Sequence, residues 1–306
     1  MYSAQVLSSQ RLCKALTGMT PDEFLSLTVS FSQNLVSYRV IQTPNRQRKV
    51  GGGRLGSLKT IPDKLFFALL YLKNYPTFDV LGFFTGCNRS QACRWTHFLL
   101  PVLEQTLGHE LVLPQRKISS PEEFIRLFPE VKEVFGDATE RRIQRPKSQK
   151  RQRKLYSGKK KTHTRKNVIM TDEKKRVLVL TKTKSGRRHD KRLADKDNLF
   201  QNLPDKITAW LDTGFEGIQY YHPNSLIPVK KNRKSKHNPN PPPLTQKQKE
   251  SNRLISSFRV IAEHAISGVK RFNCLQQVYR NKKANFDDQL ILISSRLWNY
   301  HLRMTT

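Results

Sequence analysis

Three acids stand apart in a chain that is otherwise strongly basic. Asp137 lies in "VFGDATE" and Asp212 in "ITAWLDTGFEG", each closing an apolar run that reads as a strand. Glu263 lies in "RVIAEHAISGVKRF", between Arg259 and Lys270, in a stretch with helical spacing. Taken singly, each has an ordinary explanation. An Asp at a strand end is a turn or cap residue, and a Glu on a helix makes an intrahelical salt bridge worth a few tenths of a kcal/mol. Converging, they would do more. Carboxylates about 4 Å apart at an effective dielectric near 20 repel by about 4 kcal/mol per pair. A hard divalent cation relieves that cost, and Mg²⁺ takes carboxylate oxygens while keeping positions open for water and phosphate. Two such ions, about 4 Å apart, activate a water or a 3′-hydroxyl and stabilise the leaving oxygen in phosphodiester chemistry.

The elements that must position these groups are legible in outline. At about 100° per residue, Arg259, Glu263 and Lys270 fall within roughly 40° of one another, with Asn252 and Ser256 on the same stripe. Leu254, Phe258, Ile261, Ala265, Val269 and Phe272 form the opposite, apolar side. His264 points away from the acidic stripe and reads as structural. Thr245 and Gln248 make a capping box that opens this helix. Upstream, "NVIMTDEKKRVLVLTKT" (167–183) reads as two strands about a turn at Asp172–Lys175, and "HDKRLADKDNLFQNLP" (189–204) as helix-like. "SSPEEFIRLFPEV" (119–131) carries another capping box, at Ser120 and Glu123. Two acid-free basic stretches, 141–166 with thirteen Lys and Arg and the Pro/Asn-rich 226–249, read as solvated loops. "NFDDQLILISSRLWNYHLRM" (285–304) reads as a last amphipathic helix, and no internal repeat is found.

The first part of the chain, 1–115, reads as helical. Thr20 caps a helix with Pro21 at its first position and Glu23 completing a capping box. "RQRKVGGGRLGSLKT" (46–60) lacks the GxxxxGK[ST] spacing of a phosphate loop and reads as a flexible connector. "IPDKLFFALLYLKNYPT" (61–77) reads as a helix stopped near Pro76. "TFDVLGFFTGCNRSQACRWTHFLLPVLEQTL" (77–107) reads as a short helix, a Gly-containing turn and a longer helix, the pattern of a helix-turn-helix. Asn88, Arg89, Gln91 and Arg94 fall where a recognition helix meets base edges. An ordinary helical hairpin would share the pattern.

Composition sets the partner class. The chain has 306 residues, 56 Lys+Arg against 24 Asp+Glu, and a formal charge of +32. Such a surface attracts phosphate polyanions, and counterion release drives the binding. No apolar run is long enough for a membrane helix, and the N-terminus lacks the basic-then-apolar pattern of a secretory signal. Cys13, Cys87, Cys93 and Cys274 form no CxxC pair and read as buried thiols of a reducing cytoplasm; a zinc site on Cys87, Cys93 and His97 is the less economical alternative.

"GDATERRIQRP", "YSGKKKTHTRKN", "RRHDKRL", "LDTGFEG" and "NRLISSFRVIAEHAISGVKRF" resemble, in order, blocks of bacterial insertion-sequence transposases of the DDE superfamily. The resemblance covers most of the chain. It implies an α/β protein, with helix-turn-helix region 1–115 before a ribonuclease-H-like mixed-sheet catalytic domain, 116–306, that carries the two basic loops. It implies Asp137, Asp212 and Glu263 as the catalytic and metal-binding triad, with Mg²⁺ or Mn²⁺, as two ions, for cofactor. The family's R-x3-E-x6-K helix signature is met by Arg259, Glu263 and Lys270, while its Tyr three residues before the Arg is Ser256 here. Lys159, Lys160, Lys161 and His163 read as phosphate contacts, since an unshifted Lys is protonated at neutral pH. The implied partners are double-stranded DNA, as element ends and target, and further copies of the chain on that DNA; the implied setting is the bacterial nucleoid. Two rivals keep part of this reading: a non-catalytic DNA-binding protein derived from a transposase, and a purely hydrolytic metal-dependent nuclease.

Overall fold

A computed structural model describes residues 2–43, 45, 47, 56–111, 114–231 and 239–305. They fall into two units: Met1–Leu113 with Val269–Thr306, and Pro114–Gly268. The first begins with α1 (Tyr2–Leu7), α2 (Gln10–Thr17), α3 (Pro21–Gln42), α4 (Ile61–Asn74), α5 (Phe78–Thr85) and α6 (Arg89–Glu110). The capping box at the start of α3 is present: the Glu23 N–H donates to Thr20 Oγ1 at 3.2 Å and the Thr20 N–H to Glu23 Oε2 at 2.8 Å. Helix α4 is buried continuously from Asp63 to Leu72 and is the core element of this unit. It stops at Tyr75, in the left-handed region at φ 48°, just before Pro76. Most of the basic connector 46–60, residues 46 and 48–55, lies outside the described residues.

The second unit is built around a sheet. Its elements are α7 (Pro121–Leu127), β1 (Glu133–Arg142), α8 (Gln149–Leu155), β2 (Tyr156–Ser157), β3 (Thr162–Thr171), β4 (Val177–Leu180), β5 (Lys184–Ser185), α9 (Asp190–Lys196), β6 (Thr208–Leu211), β7 (Ser225–Leu226) and α10 (Gln246–Val269). Strands β1 and β3 pair antiparallel, as do β3 and β4; β6 joins β1 in parallel and β7 joins β6 in parallel. A parallel neighbour requires a crossover, and α9 lies in it. Three antiparallel strands, a helix, then a strand added in parallel beside the first is the order a ribonuclease-H-like core requires. Helix α10 packs on this sheet: Ile255 and Ala262 are buried with Phe135 and Trp210, and Phe258 stacks on Trp210 with ring centroids 4.2 Å apart.

The structure revises two expectations, the form of the stretch 141–166 and the place of Leu254. The basic stretch 141–166 is not a loop: it holds the end of β1, α8, β2 and the start of β3. Alternation along a strand buries every second side chain, cations included, when acceptors are in reach. Arg141 is buried and donates to Asn167 Oδ1 at 2.9 Å and Thr183 Oγ1 at 3.0 Å. Of the stretch 226–249, residues 227–231 and 239–245 are loop, Leu226 ends β7 and Gln246 onward belongs to α10, with 232–238 outside the described residues. On α10 the buried stripe runs through Ile255, Ala262, Ala265, Ile266 and Val269, while Leu254 is exposed. The last helix, α11 (Phe286–Thr305), groups with the first unit, whereas the functional division read from sequence placed it in 116–306. Its buried Phe286, Leu290, Ile291, Leu297 and Tyr300 account for this grouping. Among the described residues no helix is long and apolar enough to cross a membrane.

Candidate active site

The register of two parallel strands brings the first two acids together. Gly136 on β1 is level with Leu211 on β6, so the next residues, Asp137 and Asp212, emerge side by side. Gly136 permits this approach: a Cβ there would lie 2.6 Å from Leu211 Cδ2 and 2.9 Å from Phe200 Cζ. Strand β6 ends at Leu211, as its sequence suggested, and Asp212 caps the 3-10 turn Thr213–Phe215 by accepting the Thr213 N–H at 2.7 Å. Strand β1 runs past Asp137, which is opposite Ile169 of β3. Asp137 Oδ1 accepts the Ala138 N–H at 2.7 Å.

A guanidinium from α10 reaches this pair. Arg259 Nη1 stands 3.4 Å from Asp212 Oδ1, and its charge also acts on Asp137. Burial pushes the Asp137 carboxyl above the usual range; the Ala138 N–H and Arg259 oppose this, and the charges of Asp212 and Asp190 add to it. A carboxylate held among other carboxylates in partial burial is relieved by a cation, and Arg259 supplies one positive charge there. The donor chemistry at the Asp137–Asp212 edge therefore suits a hard divalent ion. Glu263 is exposed on α10, one turn beyond Arg259. Among the described residues no group of three His, Cys, Asp or Glu side chains is gathered to hold a metal. Lys270 follows the end of α10 and falls in the other unit. His264 is exposed. All four cysteines are free thiols, and Cys87, Cys93 and His97 form no metal site.

Sequence reading left Asp190 without a role, and the structure gives it neighbours. Lys166 Nζ stands 2.8 Å from Asp190 Oδ1 and 3.0 Å from Glu140 Oε1, with the Lys166 and Glu140 side chains only 7% and 5% exposed. Burial alone would lower the Lys166 pKa; hydrogen bonds and charge from Asp190 and Glu140 outweigh it and raise it. Thr164 donates to Glu140 Oε2 at 2.7 Å. Asp190 also lies against the turn after Asp212: a Cβ on Gly214 would come within 2.7 Å of Asp190 Oδ2. Alternation along β3 puts Thr164 and Lys166 on one face of the strand, but their meeting with Glu140 and Asp190 depends on the β1–β3 register and on α9.

Beside Asp212 opens a cavity of about 1010 Å³, lined by Thr213, Lys230, Asn252, Ser256 and Arg259 among others. Asn252 fixes its rim, accepting the Val229 N–H at 2.8 Å and donating to the Val229 carbonyl at 2.9 Å. Ser256, where a Tyr was expected, lines this space. The Lys159–Lys161 run forms the exposed turn between β2 and β3, with Lys161 at φ 52°. His163 is half-buried, its ring edge-on to Tyr156 at 5.6 Å.

In the helical unit, α5, a turn at Gly86 (φ 65°) and α6 form the expected helix-turn-helix. Asn88, Arg89, Gln91 and Arg94 are all exposed. Asn88 and Gln91 are also a capping box: the Gln91 N–H donates to Asn88 Oδ1 at 2.9 Å and the Asn88 N–H to Gln91 Oε1 at 3.1 Å. Arg89 stands 3.8 Å from Asp79 on the surface. Arg94 and Gln91 border a concavity of about 420 Å³ with Trp95, Phe98 and Arg39.

Comparison with known proteins agrees with this geometry. Residues 136–299 match the family described as DDE superfamily endonuclease, and residues 56–109 match the helix-turn-helix of DDE superfamily endonuclease. A probable transposase for insertion sequence element IS702 from Microchaete diplosiphon is 29% identical over 267 residues, 87% of this chain and 88% of that protein. No solved structure matches.

Proposed function

Because this chain belongs to the DDE superfamily endonucleases, we propose that it is a DNA transposase, cutting at the ends of a mobile element and joining the freed 3′-hydroxyls to target DNA. The observation that carries the proposal is the juxtaposition of Asp137, within β1, and Asp212, just past the end of the parallel strand β6, in a chain of net charge +32. The cost of this pair comes from burial and from the mutual repulsion of the carboxylates, and a half-buried acid pair beside an Arg, with the Asp137 pKa raised, is a candidate for chemistry.

Members of this superfamily generally use divalent metal ions, and the cofactor proposed is Mg²⁺ or Mn²⁺, as two ions held by Asp137, Asp212 and Glu263. When bound, it polarises the scissile phosphodiester and lowers the pKa of the attacking hydroxyl. The chain's own side chains do the rest. Asp137 supplies anionic oxygen from within β1, and Asp212 from the end of β6. Arg259 and Lys230, at the cavity beside Asp212, hold non-bridging phosphate oxygens of the strand being cut. Lys159, Lys160, Lys161, His163 and Lys270 contact backbone phosphates, which adds affinity without sequence preference. In cleavage a water oxygen joins phosphorus and the element's 3′-oxygen leaves, taking a proton. In joining, that 3′-hydroxyl attacks a target phosphorus and a target 3′-oxygen leaves. One site serves both steps with a different nucleophile. Asn88, Arg89, Gln91 and Arg94 select the element's ends, and several copies assemble on the DNA.

The test is cleavage of a supercoiled plasmid carrying the element's own termini, with Mg²⁺ or Mn²⁺. Asp137→Asn, Asp212→Asn and Glu263→Gln should each reduce cutting to background, non-additively, while DNA binding holds or tightens. Glu263→Gln decides the role of that exposed acid. If Glu263 only pairs charges at the surface, the change costs below about 1 kcal/mol of stability and cutting survives. Pre-cut ends that fail to join target DNA would leave a hydrolytic nuclease. Absence of cutting by the unaltered protein would leave a DNA-binding derivative.

A further inference from the structure

The two acids of the site are held unequally. Strand β1 continues through Asp137, which pairs with Ile169 of β3. Strand β6 stops at Leu211, so Asp212 is held by its own turn and by Arg259. A pair that must bind a metal has to keep its geometry within about 0.5 Å. Asp212 therefore needs support from outside its strand.

Lys166 and Asp190 are placed to give it. An ammonium carries three protons, and those of Lys166 find three acceptors. These are Glu140 Oε1 on β1 at 3.0 Å, Asp190 Oδ1 in the first turn of α9 at 2.8 Å, and the Arg188 carbonyl just before that helix at 3.1 Å. A planar guanidinium could not serve three acceptors converging on one atom. The chain leading to α9 has no room to shift, because a side chain on Gly186 would run into the Thr164 hydroxyl, which donates to Glu140. The head of α9 is thus pinned to β1 and β3. Asp190 carries the pinning onward. Its Oδ2 faces Gly214, where a Cβ would lie 2.7 Å from that oxygen. Gly214 is the middle residue of the turn Thr213–Phe215 that Asp212 opens. Farther along, a Cβ on Gly217 would come 3.0 Å from Lys191 Cε, and Tyr221 donates to Asp195, so α9 backs the chain from Gly214 to Tyr221. The Asp190 charge works against the Asp137 carboxylate. What that charge gains is a charge-assisted bond to Lys166, stronger than a neutral one.

We propose that Lys166 and Asp190 are positioning residues for Asp212: Lys166 fixes the head of α9, and Asp190, through Gly214, sets the turn on which Asp212 stands. The consequence for metal binding rests on the reading of Asp212 as a metal-binding acid; the positioning itself does not.

Loss of Lys166 would strand two acids, so the informative changes are at Asp190 and Gly214. The first readout is hydrogen exchange, in the metal-free full chain, of the Thr213 and Phe215 amides, which donate to Asp212 Oδ1 and to the Asp212 carbonyl. Asp190→Ala and Gly214→Ala should each speed this exchange about tenfold. The two together should do no more than either alone, because a Cβ on Gly214 lies 3.4 Å from the Asp190 Cβ, an ordinary contact. Asp190→Asn keeps the shape and an acceptor for Lys166, and should recover most of the protection. Val179→Ala, a buried change on β4, which β3 separates from β1, should lower the melting temperature without speeding these amides. The second readout is Mn²⁺ affinity, followed by the paramagnetic resonance of the free ion. Asp190→Ala should weaken it about tenfold, and Asp190→Asn should restore most of it. Asp212→Asn tests the underlying reading: if Mn²⁺ binding survives that change, the metal role of Asp212 falls, and the exchange result still decides the positioning. Unchanged exchange in Asp190→Ala, effects of Asp190→Ala and Gly214→Ala that multiply, no recovery in Asp190→Asn, or equal speeding by Val179→Ala would each overturn the proposal. So would Mn²⁺ affinity that Asp212→Asn abolishes and Asp190→Ala leaves untouched.

Discussion

Asp63 of the helical unit and Asp137 of the sheet unit are carboxylates held in opposite ways. In the helical unit Asp63 and Glu23 each sit at a helix start. Asp63, in the first turn of α4, accepts the Ser3 N–H at 3.2 Å and the Ser3 hydroxyl at 2.9 Å, and its own N–H is capped by Thr60. Burial alone would raise its pKa; its hydrogen bonds, first that with the chain's terminal ammonium and then those with Thr60 and Ser3, together outweigh burial and hold the carboxyl well below the usual range. Glu23 closes the α3 capping box and meets His301 Nδ1 at 2.5 Å. In the sheet unit, Asp137 has one N–H and a shared guanidinium, and two further acids nearby. Burial raises its pKa and nothing reverses it. The difference teaches what each acid is for: Asp63 and Glu23, like Glu140 in the sheet unit, are satisfied and hold structure together, while Asp137 is kept at a cost to folding.

The comparison can be broken most severely by removing Val269–Thr306. That segment lends α11 to the helical unit, and each large apolar side chain it buries is worth about 1.5–3 kcal/mol. Their sum rivals the total stability of an ordinary domain. Such a truncation should lose the cooperative unfolding of the helical unit, seen by calorimetry, while protease-resistant sheet-unit fragments persist. Next in size is Lys166→Met. It leaves Glu140 and Asp190 buried without their cation, and removing one partner of a buried pair costs about 3–5 kcal/mol. Chemical denaturation should report that loss. A surviving midpoint would show that the pair is dispensable.

Asp63→Asn and Asp137→Asn sharpen the contrast because their signs differ. Asp63→Asn should cost about 1–3 kcal/mol, the usual penalty for a lost buried hydrogen-bond partner. Asp137→Asn should raise the melting temperature, since it deletes a destabilising charge. The pH dependence follows the same signs. With its folded pKa depressed, Asp63 stabilises above its unfolded value, and that contribution is lost as pH falls through the folded value. With its folded pKa raised, Asp137 destabilises increasingly as pH rises from the unfolded value, and the cost is complete above the folded value. Melting curves of the two variants against pH should therefore diverge from the parent in opposite directions. The smallest effect is at Asn88. Asn88→Ala should cost about 1 kcal/mol as a lost N-cap, read as a shift in melting temperature. A larger loss in binding to element ends than in stability would assign Asn88 to base recognition as well.

Local signals were legible in the sequence, and long-range register was not. Thr20 with Glu23, and Ser120 before Pro121, announced helix starts because a cap is settled within four residues. The helix-turn-helix was legible for the same reason. Asp212 was legible as a strand end, whereas β1 runs on past Asp137 to Arg142, and the adjacency of the two depends on Gly136 aligning with Leu211, 75 residues away. The Glu140–Lys166–Asp190 cluster was invisible because it needs both the β1–β3 register and the placement of α9. The basic stretch 141–166 misled, since a run of cations usually marks solvated chain; here alternation hid Arg141 and Lys166 and left Lys159–Lys161 outside. Glu263 was picked out by its spacing from Arg259, and its exposure on α10 could not have been read from that spacing.

The helical unit is made from two stretches of chain with the whole sheet unit between them. A ribosome delivers them far apart in time. Helices α1 to α6 leave the exit tunnel first, and the partner surface that α11 provides arrives only after residues 114–268 have been made. At about 5–20 residues per second that interval is on the order of ten seconds or more. During it the α6 surface that α11 will cover is open to chaperones, and a unit that recognises DNA is unfinished. The nascent protein thus acquires its sheet before it can complete its helical half.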